Sequence, residues 1–429
     1  MARARARRSA GSAVGRRSPC HHWISSTVVT SLGLALGAGP ASAGGLYLQE
    51  FGTPGMGAAE AGAQALASDA STAWHNPASM SRLEQSQFMT GGAVLHSNIR
   101  FDADPDTPIA GNDGGQIGGT NPILSLHAVH KFGEGVSGGF SLVSISGAVL
   151  DYNDEWAGRF QNTSVDLLTL SFVPSLAYQV ADTLSVGAGL NILYGNFDAQ
   201  VAVPPPDGTG RVKIDDADGA DAGVIVSTLF EPAEGTRFGL VYQSKIQPTL
   251  KGQIDVNPVG AESNIDIKIP LAETVRLGAY HELNDQWALL GSLRWENWSQ
   301  FGDIPVSVER GSTSVPTGWR DTYGFSVGMH FRPTESWLLQ AGFGYDTSPV
   351  SDRNRSAALP LDRQYRYALG TQYDVNERVN IGTSFVYADY GENQIDGDLL
   401  KGQYSDYDLF FFGLNVNYRF GPPAWAPPN

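Results

Sequence analysis

The chain has 429 residues, with 28 basic against 44 acidic side chains and a single cysteine. All six charged residues before position 44 are arginines, so the rest carries 22 bases against 44 acids, a balance that disfavours nucleic acid as a partner. Cys20 lies in that first stretch, which leaves residues 44–429 without disulfides or thiol chemistry.

Residues 1–43 read as an export signal peptide. Arg3, Arg5, Arg7, Arg8, Arg16 and Arg17 make a positive start, "ISSTVVTSLGLALGAG" is apolar but too short to span a bilayer, and "ASA" at 41–43 offers small residues for cleavage before Gly44. A mitochondrial presequence is the alternative for such an arginine-rich, acid-free start. Residues 44–85 follow as a glycine- and alanine-rich stretch closed by Asn76-Pro77, which neither a strand nor a long helix accommodates well.

From residue 86 onward the pattern has a period of two. In "LSVGAGLNILY", Leu184, Val186, Leu190, Ile192 and Tyr194 share one face, and Ser185, Gly187, Gly189 and Asn191 the other. The same split recurs in "WLLQAGFGY" (337–345), in "VNIGTSFVY" (379–387) and in "YDLFFFGLNVNYRF" up to Phe420. No segment beyond the leader is apolar for the eighteen or so residues a membrane helix needs. A sandwich core would alternate too, but segments of about ten residues or more with aromatic ends fit tilted membrane strands. Short turns ("GEG", "ADT", "EPAEG", "LNDQ", "RPTES", "DVNER") alternate with longer polar loops near 102–120, 151–163, 198–219, 256–262, 302–317, 346–361 and 391–402.

The expectation is an all-β transmembrane antiparallel β-barrel of about fourteen strands over residues 86–420. Both of its ends face the periplasm, and its first strand pairs with its last. A lumen of that width is not filled by its own wall, so residues 44–85 are expected inside it as an N-terminal hatch, with a periplasmic linker as the alternative. Residues 421–429 are read as a C-terminal periplasmic tail.

Catalytic and metal-binding arrangements are not expected. His127 and His130 stand three apart in a strand and project to opposite faces. No Gly-x-Ser-x-Gly elbow or paired His/Cys spacing occurs. Asp215, Asp216, Asp218 and Asp221 could bind calcium but read first as a solvated loop.

"GGLYLQEFGTPGMG" followed by "ASDASTAWHNPASM" resembles the mature N-terminus of the outer-membrane hydrophobic-compound transporters of the FadL, TodX and OmpP1 type. "LNDQWALLGSLRWENWSQF" and "GYDTSPVSDRNRSAALPLDRQYRYALG" are similar to later segments of that family, in the right order. The resemblance implies an integral protein of the bacterial outer membrane without cofactor, catalytic residue or metal. It would carry long-chain fatty acids, alkanes or alkylbenzenes from an apolar pocket sideways into the bilayer. A non-specific porin is the rival reading, and an outer-membrane enzyme a weaker one. Carried over by position, Asn76, Pro77 and Ala78 form the hatch element, and Leu46, Leu48 and Phe51 line the pocket. Arg320 stands where the fatty-acid member has a basic residue, with a loop-end charge as the alternative. Ser146 and Gly147 mark a kink in the third strand, although Gly147 also reads as an ordinary lumen-facing glycine. Asn196 stands where that member has an arginine, which speaks against a carboxylated ligand. Expected partners are outer-membrane lipid, lipopolysaccharide and the barrel assembly machinery, with the protein a monomer.

Overall fold

The computed structural model describes residues 46–203, 210–257, 261–301, 303–308 and 311–421. The leader read over 1–43 and the tail beyond Gly421 lie outside these residues. Alternation decides the architecture, because an apolar outer face and a polar or small inner face are compatible only with a sheet that closes on itself.

The wall is a closed antiparallel barrel of 14 strands. Its first half is β1 (Ser86–Ala103), β2 (Thr120–Gly133), β3 (Val136–Asp151), β4 (Ser164–Ala181), β5 (Leu184–Ala202), β6 (Arg211–Ala233) and β7 (Thr236–Gln243). A hairpin of β8 (Thr249–Asn257) and β9 (Ala261–Lys268) then leaves the wall, which resumes with β10 (Thr274–Glu282) and β11 (Trp287–Glu296). A second hairpin, β12 (Asp303–Val308) and β13 (Gly311–Pro316), precedes β14 (Thr322–Thr334), β15 (Trp337–Asp346), β16 (Gln364–Asp374) and β17 (Val379–Asp389). After the short β18 (Gln394–Asp396), β19 (Lys401–Phe420) closes the barrel on β1, from Ser86↔Phe420 to Ala103↔Gly402.

Two parts of the long-loop side differ from the sequence reading. Residues 236–282 are not two long strands meeting at 256–262, because the wall strand stops at Gln243. Pro248 and Pro270 bracket β8 and β9, which pair instead with β6 (Arg211↔Asn257) and β12 (Val306↔Ile267). The third long loop is also shorter than expected, since β6 already begins at Arg211.

Leu168, Leu170, Phe172 and Leu176 of β4 point outward, as do Phe412, Leu414 and Tyr418 of β19, in a belt around the barrel. Aromatic pairs mark its two edges: Trp287 with Phe331 (4.3 Å) and Trp337 with Tyr373 (4.6 Å) by the short turns, and Tyr367 with Tyr387 (6.1 Å) toward the loops. This is the surface that a bilayer solvates.

Residues 46–83 run inside the wall and are almost wholly buried. They form only short turns, Pro54–Ala58, Ala63–Leu66, Thr72–His75 and Pro77–Arg82, because glycine and proline break the helical pattern. Polar contacts tie them to strands around the barrel. Ser125 Oγ donates to the Phe51 carbonyl (2.8 Å), the Gly62 N–H to Ser292 Oγ (2.9 Å), and Arg237 Nε to the Ala65 carbonyl (2.9 Å). The approach is close enough that wall glycines are required. A Cβ on Gly239 would stand 1.9 Å from the Gln64 carbonyl oxygen, and one on Gly342 would stand 2.1 Å from that of Ala58.

Replacing Gly342 by valine is therefore expected to leave barrel closure intact but to destabilise the seated N-terminal segment by about 1–3 kcal/mol. Limited proteolysis should release that segment faster than in the parent, while heat-modifiable migration on gels is unchanged. Equal protease resistance in the two proteins would contradict the close-approach argument.

Candidate functional site

Midway along the lumen, between the N-terminal segment and the wall, lies a cavity of ≈ 60 Å³. Its apolar side is formed by Leu48, Phe51 and Trp74 of the N-terminal segment with Ile145 of the wall. Phe51 meets Trp74 edge-on at 5.9 Å. Leu48 and Phe51 line this cavity, whereas Leu46 is fully buried in the surrounding core and does not.

The opposite side is ionic, a feature the alternating pattern did not announce. Arg294 forms ion pairs with Glu296 (2.9 Å) and Asp346 (2.6 Å), and Arg366 with Asp346 (2.8 Å) and Glu50 (3.3 Å). Glu296 also accepts hydrogen bonds from Trp298 Nε1 (2.7 Å) and Thr322 Oγ1 (3.2 Å). These charges sit away from bulk water, where loss of one partner leaves the other uncompensated. Glu60 lies nearby, 3.6 Å from His75 Nε2. Burial, reinforced by the Glu50 charge, pushes its carboxyl up to about 8, so it is largely protonated at neutral pH. Burial likewise pulls His75 down to about 3, keeping that imidazole neutral. Isolated Arg and Glu letters in strands gave one available signal, their inward parity: Arg276, Arg294, Asp346 and Arg366 all fall on the small or polar face.

Arg320 is not part of this site. It is exposed at the start of β14, where Nε donates to the Ser348 carbonyl (3.0 Å) and its N–H to the Pro349 carbonyl (2.8 Å). Its neighbour Asp321 accepts from Trp295 Nε1 (3.0 Å), so Arg320 holds a loop through carbonyls and does not pair with that acid. Arg276, Arg294 and Arg366 supply the cations at the cavity.

Asn76, Pro77 and Ala78 are buried at a junction with the wall. The Asn76 amide donates to the carbonyls of Gln64 (2.6 Å) and Thr228 (3.0 Å), and its oxygen accepts the Ala78 N–H (3.0 Å), capping the Pro77–Arg82 turn. The Ala78 N–H also reaches Ser227 Oγ (3.0 Å). One amide therefore joins two parts of the N-terminal segment to β6.

Ser146 and Gly147 sit at a break in the wall; of their side chains nothing is described. The β2–β3 ladder ends at Ser125↔Val143, whereas β2 continues to Thr120 along β1 and β3 continues to Asp151 along β4. The β3–β4 register itself shifts between Val143 and Ser146. Among the described residues, the facing edges 120–124 and 144–151 share no ladder. The Ile145 carbonyl freed by this departure accepts instead the Leu48 N–H, at 2.8 Å. Ile145 and Leu48 both line the cavity, so the break and the cavity adjoin.

The remaining chemistry-bearing residues are dispersed. His127 is buried against Ser141 (2.9 Å) and His130 is exposed on the other face. Asp215 and Asp216 meet Asp198 on the long-loop side, where Asp215 is paired with Lys213 (2.8 Å). Asp221 accepts the Gln247 N–H (2.8 Å) instead.

Substituting Asn76 with alanine should remove two buried donors and one acceptor, costing about 1–3 kcal/mol of seating energy. The expected readout is a rise in single-channel conductance in planar bilayers without loss of barrel assembly. Conductance equal to the parent's would assign Asn76 to local turn geometry alone.

A family model described as outer membrane protein transport protein (OMPP1/FadL/TodX) matches residues 34–420. The long-chain fatty acid transport protein of Escherichia coli K12 is 25% identical over 449 residues, covering 91% of this chain and 97% of that one. Outer membrane protein P1 of Haemophilus influenzae is 25% identical over 454 residues, covering 90% and 97%. Among solved structures, a Pseudomonas aeruginosa FadL homologue superposes with a TM-score of 0.80 at 22% identity, over 88% of this chain and all of the other. The Pseudomonas putida toluene transporter TodX gives 0.66 at 16% identity, over 82% and 94%. With the match spanning the barrel from end to end, the chain belongs to the OmpP1/FadL/TodX family of outer-membrane transport proteins.

Proposed function

We propose that this protein, an integral outer-membrane transporter of hydrophobic compounds, works passively: residues 46–83 are a hatch, the lumen cavity is the binding site, and ligand leaves sideways through the break beside β3. The observation that carries this reading is the Leu48–Ile145 hydrogen bond. It makes the hatch the partner of the one carbonyl named at the break, so displacing the hatch there frees the edge of the wall.

A cavity of ≈ 60 Å³ holds a few water-sized groups, far fewer than an extended alkyl chain has. A long ligand must therefore displace Leu48 and Phe51 to fit, and this displacement also breaks the Leu48 bond to β3. Binding and opening are then one event. Lateral exit also suits the cargo, since each methylene gains roughly 0.8 kcal/mol in an apolar medium and loses it on release to water. Below the hatch, the periplasmic end of the lumen is a polar space lined by groups such as Asp69, Arg82, Glu282, Asp374 and Arg419, a poor path for an alkyl chain.

In an uninterrupted ladder Ile123 would oppose Ile145, continuing Ser125↔Val143. Joining Ile123→Cys to Ile145→Cys with a short thiol-reactive linker should slow uptake of a radiolabelled fatty acid or toluene by at least about tenfold, with recovery when the linker is cleaved. Gly147→Val, which opposes the bend, should slow uptake in the same direction. Unchanged uptake in the linked protein would exclude lateral exit. A companion test deletes residues 46–83. The barrel should still assemble, because its ladder does not use them, and should admit small polar antibiotics. Unaltered permeability with surface expression verified would exclude the hatch.

A further inference from the structure

Of the carboxyl groups that line the cavity, Glu296 and Asp346 are held by arginines and Glu60 is not. Among the described residues Glu60 forms no ion pair with an arginine. Its Oε1 accepts from Thr53 Oγ1 (3.2 Å), while Oε2 is shielded from water, lacks a hydrogen-bond partner and lies 3.6 Å from His75 Nε2. All three side chains belong to the N-terminal segment and are buried. The backbone here is one that side chains rarely adopt, since Ala59 and Glu60 have φ of 52° and 58°, both in the left-handed region. The same turn seats on β11: Ser292 Oγ donates to the Glu60 carbonyl (3.2 Å) and accepts the Gly62 N–H (2.9 Å). A neutral carboxyl beside a neutral imidazole can be buried in this way, whereas an ionised one without a cation is costly.

We propose that Glu60 is a protonation latch: residues 46–83 seat against the wall while its carboxyl carries a proton and come away as that proton is lost, so the channel is closed in mildly acidic surroundings and opens toward mild alkalinity. The inference rests on that segment being the hatch of the proposed function. Facing the carboxyl and its His75 neighbour are Glu50 and Asp69 of the same segment, His127 of β2, Arg276 of β10 and Arg366 of β16, with Arg294 of β11 across the cavity. Glu50 and Asp69 oppose a further negative charge. Arg294 and Arg366 are already held by Glu296, Asp346 and Glu50, and the Arg276 guanidinium stands over the Trp74 ring at 5.9 Å. In the seated segment the Glu60 carboxyl titrates at about 8 against its ordinary 4.5, and His75 at about 3 against 6.5. The seated pair therefore holds one proton between about 3 and about 8. Released into water, it holds two protons below 4.5, one between 4.5 and 6.5, and none above 6.5. Seating is thus firmest, and flat, between 4.5 and 6.5. From there to about 8 it weakens by up to about tenfold per pH unit, roughly thirtyfold in all.

Single-channel recording of the full-length protein in planar bilayers, at about pH 6.5 and about pH 8.5, tests this. The fraction of time spent open should be small in the parent at the lower pH and rise about ten- to thirtyfold at the higher. Glu60→Gln, close in shape and neutral throughout, should stay closed at both. In infrared difference spectra between the two pH values, the parent should lose the carbonyl band of a protonated carboxyl, and Glu60→Gln should show no such loss. Heat-modifiable migration verifies barrel closure of the variant, and the infrared band of the parent carries the test if Glu60→Gln does not close. A parent that stays closed at the higher pH, a Glu60→Gln protein that opens as the parent does, or an unchanged band overturns the latch while the hatch reading stands. A parent as open at the lower pH as the protein lacking residues 46–83 removes both.

Discussion

A wall that crosses hydrocarbon must satisfy every backbone N–H and C=O from within, and this single requirement organises the molecule. It forces β1 onto β19 and makes any interruption conspicuous. The interruption at Val143–Ser146 is tolerated because an amide from inside the barrel, that of Leu48, reaches the Ile145 carbonyl. The N-terminal segment is thus a structural part of the wall at the place where the wall is incomplete. Its glycine-rich composition follows, since only backbone without side chains lets two surfaces meet as closely as Gly342 meets Ala58.

Filling the lumen creates a second requirement, the compensation of charge. Fourteen strands alternate apolar residues outward, so polar residues accumulate inward, and the N-terminal segment packed against them removes water from them. The arginines of β11 and β16 answer this by sharing Asp346 between them, with Glu296 and Glu50 at the ends. Glu60 and His75, which lack such pairing, are held neutral by burial. The cavity is therefore amphipathic, apolar toward the break and polar toward β10.

On the loop side the strands outrun the apolar belt and the connections gain structure of their own. Tyr152 stacks on Trp156 at 3.9 Å and shares a hydrogen bond with Tyr404 (2.7 Å), drawing the connection around 152 and the start of β19 toward Ala357. With the two hairpins, β8–β9 and β12–β13, these contacts build a folded cap from segments that read individually as plain polar loops.

Strand periodicity and the alternation of short and long connections were legible in the sequence because each depends on neighbours within a few positions. So was the Asn-Pro-Ala turn, whose cap is made by the very next residues, Asn76 to Ala78. The stop of the wall strand at Gln243 was not, since the run through 249–268 read as strand and loop in one piece. The sites that perform chemistry were not legible in that way. Arg276 and Arg320 are both single arginines in alternating segments, and only the closure of the barrel decides that the first looks into a cavity while the second holds a loop in solvent. The Leu48–Ile145 bond joins positions nearly a hundred residues apart, across the lumen, for no reason contained in either segment. Local pattern determines which face a side chain takes; what that face meets is decided by strands brought together around a ring, and that is a property of the whole chain.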